Sequence, residues 1–234
     1  MATNYNPRIV TDGLVLALDA GNTKSYPGSG TTWTDLSGNG NHFTLYNSPS
    51  FLNGYINFDG TNQYARSSST LDLSSFNSVT VEIGMRVNTT VTPSGMAFEH
   101  SSNWNTQAMG FGLVPNSTGF LTYVSNSNHT NQINGFGVLN YTGINGTNIV
   151  IHTNIWSKVS DITGRIAYIN AVQRNSAATS NYSNFRNDFF YISSRAGTSV
   201  WANHRVYFLR IYGRKLTALE ILQNYNATKE RYGI

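Results

Sequence analysis

The chain contains no cysteine among its 234 residues. Disulfide bonds and thiolate metal sites are therefore excluded, and packing and hydrogen bonds have to hold the fold together. No apolar run approaches the roughly 20 residues that span a bilayer, so we expect no membrane insertion. The N-terminal sequence MATNYNPRIVTDG lacks a basic start followed by an apolar segment, so we expect no signal peptide and synthesis in a host cytoplasm.

Charge is also scarce, since only 11% of the residues are charged, whereas the chain has 14 tyrosines and 12 phenylalanines. This aromatic content excludes a disordered chain. The length predicts one domain over residues 9–234, preceded by an N-terminal arm at residues 1–8. The net charge of +4 is spread out without a basic stripe that would follow phosphates, so we expect no nucleic-acid binding.

Short apolar or alternating segments between turn signals predict an all-β chain. The cleanest alternation, VTVEIGMRV at 79–87, predicts a central strand with Val79, Val81, Ile83, Met85 and Val87 inward and with a wet opposite face. Further strands are predicted at 13–19, 54–59, 63–66, 96–100, 109–114, 120–124, 148–152, 156–161, 165–170, 189–195 and 205–212. So many strands favour a two-sheet antiparallel jelly-roll sandwich over an immunoglobulin-type one.

The last strand and the segment after it carry the strongest local signals. In the strand, the two-residue period predicts Tyr207, Leu209 and Ile211 on one face, and Val206, Phe208, Arg210 and Tyr212 on the other. One short C-terminal helix is predicted over about 217–231, with a capping box between Thr217 and Glu220. We expect five apolar residues to seat it on the sandwich: Leu216, Leu219, Ile221, Leu222 and Tyr225.

Catalytic signals are weak. A glycoside hydrolase needs two carboxylates across a sugar cleft, but no strand carries an acidic pair on one face. The isolated acidic residues are Asp72, Glu82, Glu99, Asp161 and Asp188. No serine lies in a nucleophile elbow, and the five histidines are scattered. We therefore expect that the chain is not an enzyme, with a glycoside hydrolase as a distant third hypothesis.

Two Gly-rich loops contain oxygen ligands of the kind that calcium prefers. One holds Asp19 and Asn22, and the other holds Asp35, Asn39 and Asn41. The alternative is that these side chains cap their own turns. We expect no required cofactor and keep calcium as an open alternative.

Sugar binding would be indicated by exposed aromatic rings beside amides in loops. Trp33, Trp104 and Trp201 lie in such polar segments, whereas Trp156 lies in a strand and is expected in the core. The candidate sugar-binding residues are Trp104, Asn103, Asn105, Trp201 and Asn203.

Several segments appear in a recognisable order: GLVLALDAGNTKSYPGSGTTWTDLSGNGN, INFDGTNQY, GRIAYIN, FFYISSR and FLRIYGRKLTALEILQNYNATKERYG. In this order the chain resembles the concanavalin A-like, laminin G-type jelly-roll domains of tailed-bacteriophage structural proteins. YINAV stands where that family often has a Tyr-x-Asn-Gly turn. The resemblance implies a two-sheet sandwich that serves in binding or in particle decoration.

Two functional hypotheses follow. The first is a non-enzymatic virion protein on the particle surface, attached to capsid or tail proteins as a homo-oligomer or symmetric assembly. Its contacts would include the arm residues Tyr5, as an anchor, and Arg8, paired with an acidic site. The second is a lectin-like module that binds a cell-surface glycan.

Overall fold

The computed structural model describes residues 8–88, 95–102, 111–116, 119–124, 148–158, 161–179 and 184–234. These contain strands and one helix, in the order β1 (Leu14–Asp19), β2 (Thr32–Trp33), β3 (Phe43–Tyr46), β4 (Ser50–Leu52), β5 (Tyr55–Asp59), β6 (Tyr64–Ser67), β7 (Leu71–Asp72), β8 (Ser78–Val87), β9 (Phe98–His100), β10 (Phe111–Asn116), β11 (Gly119–Val124), β12 (Val150–Ser157), β13 (Asp161–Ile169), β14 (Val172–Thr179), β15 (Asn187–Asp188), β16 (Phe190–Ile192), β17 (Asn203–Tyr212) and α1 (Ala218–Tyr232). Within the described ranges, no helix is long and apolar enough to cross a membrane.

Two antiparallel sheets form the sandwich. One runs β14-β13-β12-β8-β17-β5-β4, with β1 also paired to β17, and the other runs β11-β10-β9-β16-β6-β3-β2. We call them the β8 sheet and the β6 sheet after one interior strand of each. The small pair β7 and β15 lies outside both. The predicted all-β sandwich with a single C-terminal helix is confirmed for the part of the chain that the structure describes.

The inner faces of both sheets meet in one apolar core. Its largest members include Phe43, Phe58, Phe98 and Phe190, all fully buried. Trp156 lies in this core, as expected. Trp33 is also fully buried there, so its interpretation as an exposed sugar-binding ring was wrong. The reason is that β2 pairs with β3, which turns Trp33 inward beside Phe43.

A β-bulge interrupts the alternation of the last strand. The register between β17 and β8 shifts between Val206 and Phe208, so that Val206 and Leu209 both face the core. Tyr207 therefore joins Phe208 on the outer face, and its predicted grouping with Leu209 and Ile211 was wrong. A bulge inserts one extra residue into a strand, and no local sequence rule marks where it falls.

The outer face of β8 is dry over most of its length, contrary to the prediction of a wet face. Thr80 is 0% exposed and Glu82 is 1% exposed, because α1 packs over this part of the sheet. The Glu82 carboxylate accepts a 2.8 Å hydrogen bond from Asn224 of α1 and lies 3.5 Å from the Arg210 guanidinium. Burial raises the pKa of Glu82, and the Arg210 charge opposes this shift.

Helix α1 begins with the predicted capping box. The Thr217 side chain accepts from the Glu220 N–H, and the Glu220 carboxylate accepts from the Thr217 N–H at 2.8 Å. Leu216 and Ile221 are both buried, 1% exposed each. Leu219 and Leu222, however, are 77% and 44% exposed, so their predicted seating role was wrong. Their places in the contact are taken by the buried polar side chains Asn224 and Thr228.

Some strand limits also differ from those predicted. Residues 150–152 and 156–157, from two predicted strands, belong to one continuous strand, β12, and Asp161 already belongs to β13. The β13–β14 hairpin turns at Asn170 and Ala171, whose φ angles are 49° and 62°. Two positive φ angles define the turn type that suits a tight hairpin, so Ala171 adopts a backbone conformation that glycine adopts more readily.

Three buried histidines make stability depend on pH. Burial lowers the pKa of His100 to about 4, and those of His152 and His204 to about 3, from 6.5 in an exposed residue. Since these rings stay neutral in the folded chain, unfolding takes up protons below about pH 6.5, and stability falls as the pH drops from there toward about 4. The raised pKa of Glu82 acts in the opposite sense.

We therefore expect the urea midpoint to fall between pH 7 and pH 5, and to fall less in His204→Phe. Both His204 ring nitrogens lack a hydrogen-bond partner in the described residues, and the ring lies 5.6 Å from Phe58, so a phenyl ring suits the site. An equal pH slope in the variant and the parent would contradict this account.

Candidate functional site

Asp35, one of the two acidic calcium candidates, is buried and caps the loop that follows it. One carboxylate oxygen accepts from the N–H groups of Ala17 and Ser37, at 2.8 and 2.9 Å. The other accepts from the Ser37 hydroxyl and the Asn41 N–H, at 2.7 and 3.0 Å. The Asn39 amide donates to the backbone of β1. These bonds are those of the turn-capping alternative.

Asp19 is held by the end of α1. Its carboxylate accepts two hydrogen bonds from Arg231, at 2.6 and 3.0 Å, and one from the Tyr232 hydroxyl at 2.8 Å. Asn22 accepts from a backbone N–H two residues further on. Among the described residues, no group of three or more His, Asp or Glu side chains is placed to hold a metal ion. Calcium binding in these loops stays a prediction.

Only two of the five predicted sugar-binding residues, Trp201 and Asn203, lie within the described residues. Trp104, Asn103 and Asn105 lie outside the described residues. Trp201 is partly buried, and its indole N–H lacks a partner in the part of the chain that is described. Asn203 lies at the start of β17, where its side-chain oxygen accepts from the Asn88 amide at 2.8 Å.

Of the two predicted attachment residues of the arm, only one lies within the described residues. Tyr5 lies outside the described residues, whereas Arg8 is exposed. The Arg8 carbonyl accepts a 2.8 Å hydrogen bond from Gln223, which places the start of the domain beside α1.

A cluster of aromatic rings around one arginine lies on the outer face of the β6 sheet, over β3, β6 and β16. Its members alternate with core residues along β3, β6 and β16, so their side chains point away from the core. We call this surface the aromatic face, and it consists of Tyr46, Tyr64, Arg66, Phe189 and Tyr191.

The rings of the aromatic face are held in fixed positions. Tyr46 and Tyr64 are direct cross-strand partners, with ring centroids 4.6 Å apart and planes 5° apart. The Arg66 guanidinium lies 4.4 Å from the centre of the Phe189 ring and donates to the Tyr46 hydroxyl at 2.9 Å. All four of these side chains are partly exposed. Such cross-strand stacking orders flat surfaces before any ligand arrives.

The electrostatics of this face favour neutral tyrosines beside one cation. Burial raises the pKa of Tyr64, and it raises the pKa of Tyr191 against the opposing charge of Arg66. Their hydroxyls therefore stay protonated at neutral pH and can both donate and accept hydrogen bonds. The buried Arg66 Nε has no hydrogen-bond partner among the described residues. Flat rings with a few fixed polar groups are the usual lining of a small-molecule site.

A strained loop borders this face. Between β16 and β17, Ser193, Ala196 and Val200 have φ angles of 69°, 51° and 54°. Val200 is β-branched, and a positive φ is a genuine outlier for such a residue. Gly197 in the same loop lies so close to the Tyr64 ring that an added Cβ would be 3.0 Å from it. Backbone strain of this kind concentrates at functional sites, and this loop leads directly into Trp201.

The sequence contains one local signal for this face. Residues 43–46 alternate apolar and polar side chains, and the structure places Phe43 and Leu45 in the core with Tyr46 outside. The predicted sugar-binding rings were tryptophans in loops, whereas the aromatic face presents tyrosines on strands.

Comparison of the sequence with models of known families found no match, and comparison with curated proteins found none either. Solved structures do share the fold. Domain 4 of AbnA, a GH43 extracellular arabinanase from Geobacillus stearothermophilus solved with arabinotriose, matches with a TM-score of 0.67 and 16% identity over 91% of this chain and 98% of that one. Trypanosoma rangeli sialidase in complex with 2,3-difluorosialic acid matches with a TM-score of 0.66 and 12% identity over 98% of this chain.

These matches confirm the β-sandwich and correct one expectation. The chain spans about a third of the sialidase chain, 36% of its length. The expectation that the chain is not an enzyme is corrected: the structures that share its fold come from enzymes, a sialidase and domain 4 of an arabinanase, so the fold gives no ground for excluding activity. The identities are low, so the likeness shows the fold alone.

Proposed function

We propose that this chain is a carbohydrate-binding β-sandwich and that the aromatic face holds the sugar. The observation that carries the proposal is the stacked pair Tyr46 and Tyr64 beside the Arg66 guanidinium, ordered and partly exposed on one sheet. Aromatic side chains combine a large apolar face with a polar tip, which matches a sugar ring with its apolar face and hydroxyl edge. A solved domain of the same fold and nearly the same extent carries arabinotriose, which supports this choice of ligand class.

The direct test is a glycan array followed by calorimetry with the strongest binder. We expect Tyr64→Ala to weaken binding at least about tenfold, because truncation of a central aromatic hot-spot contact costs about 2 kcal/mol or more. Tyr64→Phe keeps the ring and should retain most of the affinity if stacking dominates.

Tyr225→Ala is the matched control, since Tyr225 is a partly buried tyrosine on α1 and not on the aromatic face. Equal binding by the parent, Tyr64→Ala and Tyr225→Ala would contradict the proposed site. Absence of binding to any saccharide on the array would contradict the proposed function itself.

We further propose that the protein is located on the surface of a virion. The low charge of the chain and its resemblance to phage jelly-roll domains support it. Arg8, the last residue of the arm, lies beside α1 and is exposed, which leaves it accessible to a neighbouring protein. Attachment through Tyr5 and Arg8, assembly into a symmetric particle and contact with capsid or tail proteins remain predictions.

A further inference from the structure

Two arginines face each other on the outer side of the β8 sheet, opposite the aromatic face. Arg86 of β8 and Arg205 of β17 are direct register partners. Their neighbours Met85 and Val206 pack in the core, so the arginine side chains point outward. Like charges placed directly opposite on adjacent strands destabilise a sheet, so this pair needs a compensating partner.

The described residues supply no acidic partner for the pair. Neither Arg86 nor Arg205 forms an ion pair within 4.0 Å in the described ranges, whereas other partly buried arginines, such as Arg210 and Arg214, do. The buried Nε atoms of both Arg86 and Arg205 lack a hydrogen-bond partner among the described residues. Unpaired buried donors cost free energy, and a ligand that accepts from them recovers it.

The surroundings of the pair are polar and ordered. Arg205 lies opposite Asn57 of β5, and its guanidinium lies 4.7 Å from the centre of the Tyr55 ring. The Asn88 amide nitrogen bridges the side-chain oxygens of Asn57 and Asn203, at 2.8 Å each. The buried Asn88 Oδ1 has no partner in the described part of the chain. Both arginines and all three asparagines are partly exposed, so a solute can reach them.

The acidic residue that lies nearest to the arginine pair in the strand register accepts a hydrogen bond from a turn instead. Asp59 of β5 lies opposite Asn203, one pleat along from Arg205. Its carboxylate accepts a 2.8 Å hydrogen bond from the Thr61 N–H and so caps the β5–β6 turn. The positive charge of the pair is therefore left for a group from outside the described residues.

We propose that Arg86 and Arg205 form a binding site for an oxyanion, the carboxylate or sulfate group of an acidic saccharide, flanked by the row Asn57, Asn88 and Asn203. Guanidinium groups match planar carboxylates and tetrahedral sulfates by paired N–H donors. The amide row offers donors and acceptors to the hydroxyl groups beside the anion. This site is separate from the aromatic face and does not depend on it.

Thermal unfolding with small probes tests the site. Sodium sulfate and glucuronate should each raise the melting temperature of the parent by a few degrees above sodium chloride of equal ionic strength, because a ligand of the folded state stabilises it. Arg86→Gln and Arg205→Gln should lose this shift. Without any anion, each variant should melt at or above the parent temperature, because the repulsion is relieved.

Arg174→Gln is the matched control, since it makes the same charge change on the exposed residue Arg174 of strand β14 and should keep the shift. Tyr64→Ala should keep it too, which separates this site from the aromatic face. A shift with glucuronate and none with glucose assigns the anion to a sugar acid, and a shift with sulfate alone assigns it to a sulfated group. Equal shifts in the parent and both arginine variants, or no shift with either anion, would overturn the proposal.

Discussion

Replacing Asn224 by Ala should lower the free energy of unfolding by about 3 kcal/mol, the upper part of the range for stranding buried polar groups. Asn224 is 0% exposed and joins three parts of the chain. Its amide donates to Glu82 at 2.8 Å and to the Tyr212 hydroxyl at 3.0 Å, and its oxygen accepts from the Val10 N–H at 2.7 Å. Alanine leaves all of these without that partner in a dry interface.

Gln223→Ala provides the control, because it lies one position earlier on the same helix and donates only to the exposed Arg8 carbonyl among the described residues. Surface substitutions of this kind usually change stability by less than about 0.5 kcal/mol. Urea unfolding measures both variants. Similar losses in both variants would contradict the assignment of the effect to the buried network, because alanine favours the helix over both Asn and Gln.

Ile221→Ala should cost about 2–5 kcal/mol, as for other large-to-small changes in a core. Ile221 is 1% exposed and packs with Leu216, Ile155 and Tyr212 between α1 and the sheet. Leu222→Ala, its neighbour, should cost far less because Leu222 is 44% exposed. The reverse order would mean that α1 presents a different face to the sandwich.

These two pairs of variants also show what the sequence could and could not predict. The capping box between Thr217 and Glu220 was predictable because it depends on residues three positions apart. The docked face of α1 was not, since hydrophobicity favours Leu219 and Leu222, whereas the structure buries Asn224 against Glu82. Glu82 on β8 and Asn224 on α1 can both be buried because they form a hydrogen bond with each other, and only the folded chain brings them together.

In the sheets, too, the local pattern was predictable from the sequence and the long-range pairing was not. Alternation correctly placed Val79, Val81, Ile83 and Met85 in the core. It failed at Tyr207, because the bulge in β17 falls where that strand changes its partner from β5 to β1. That change is a property of the assembled sheet. The aromatic face was missed for a similar reason, since Tyr46 and Tyr191 come together only through the pairing of β3, β6 and β16.

The most direct test of the central claim is an NMR titration of the labelled protein with the best saccharide from the array. We predict that the largest shift changes map to Tyr46, Tyr64, Arg66 and Phe189 on the outer face of the β6 sheet. They should saturate together with one dissociation constant, and they should vanish in Tyr64→Ala. Changes confined to residues away from this face, or unaltered by Tyr64→Ala, would contradict the proposal that the aromatic face binds carbohydrate.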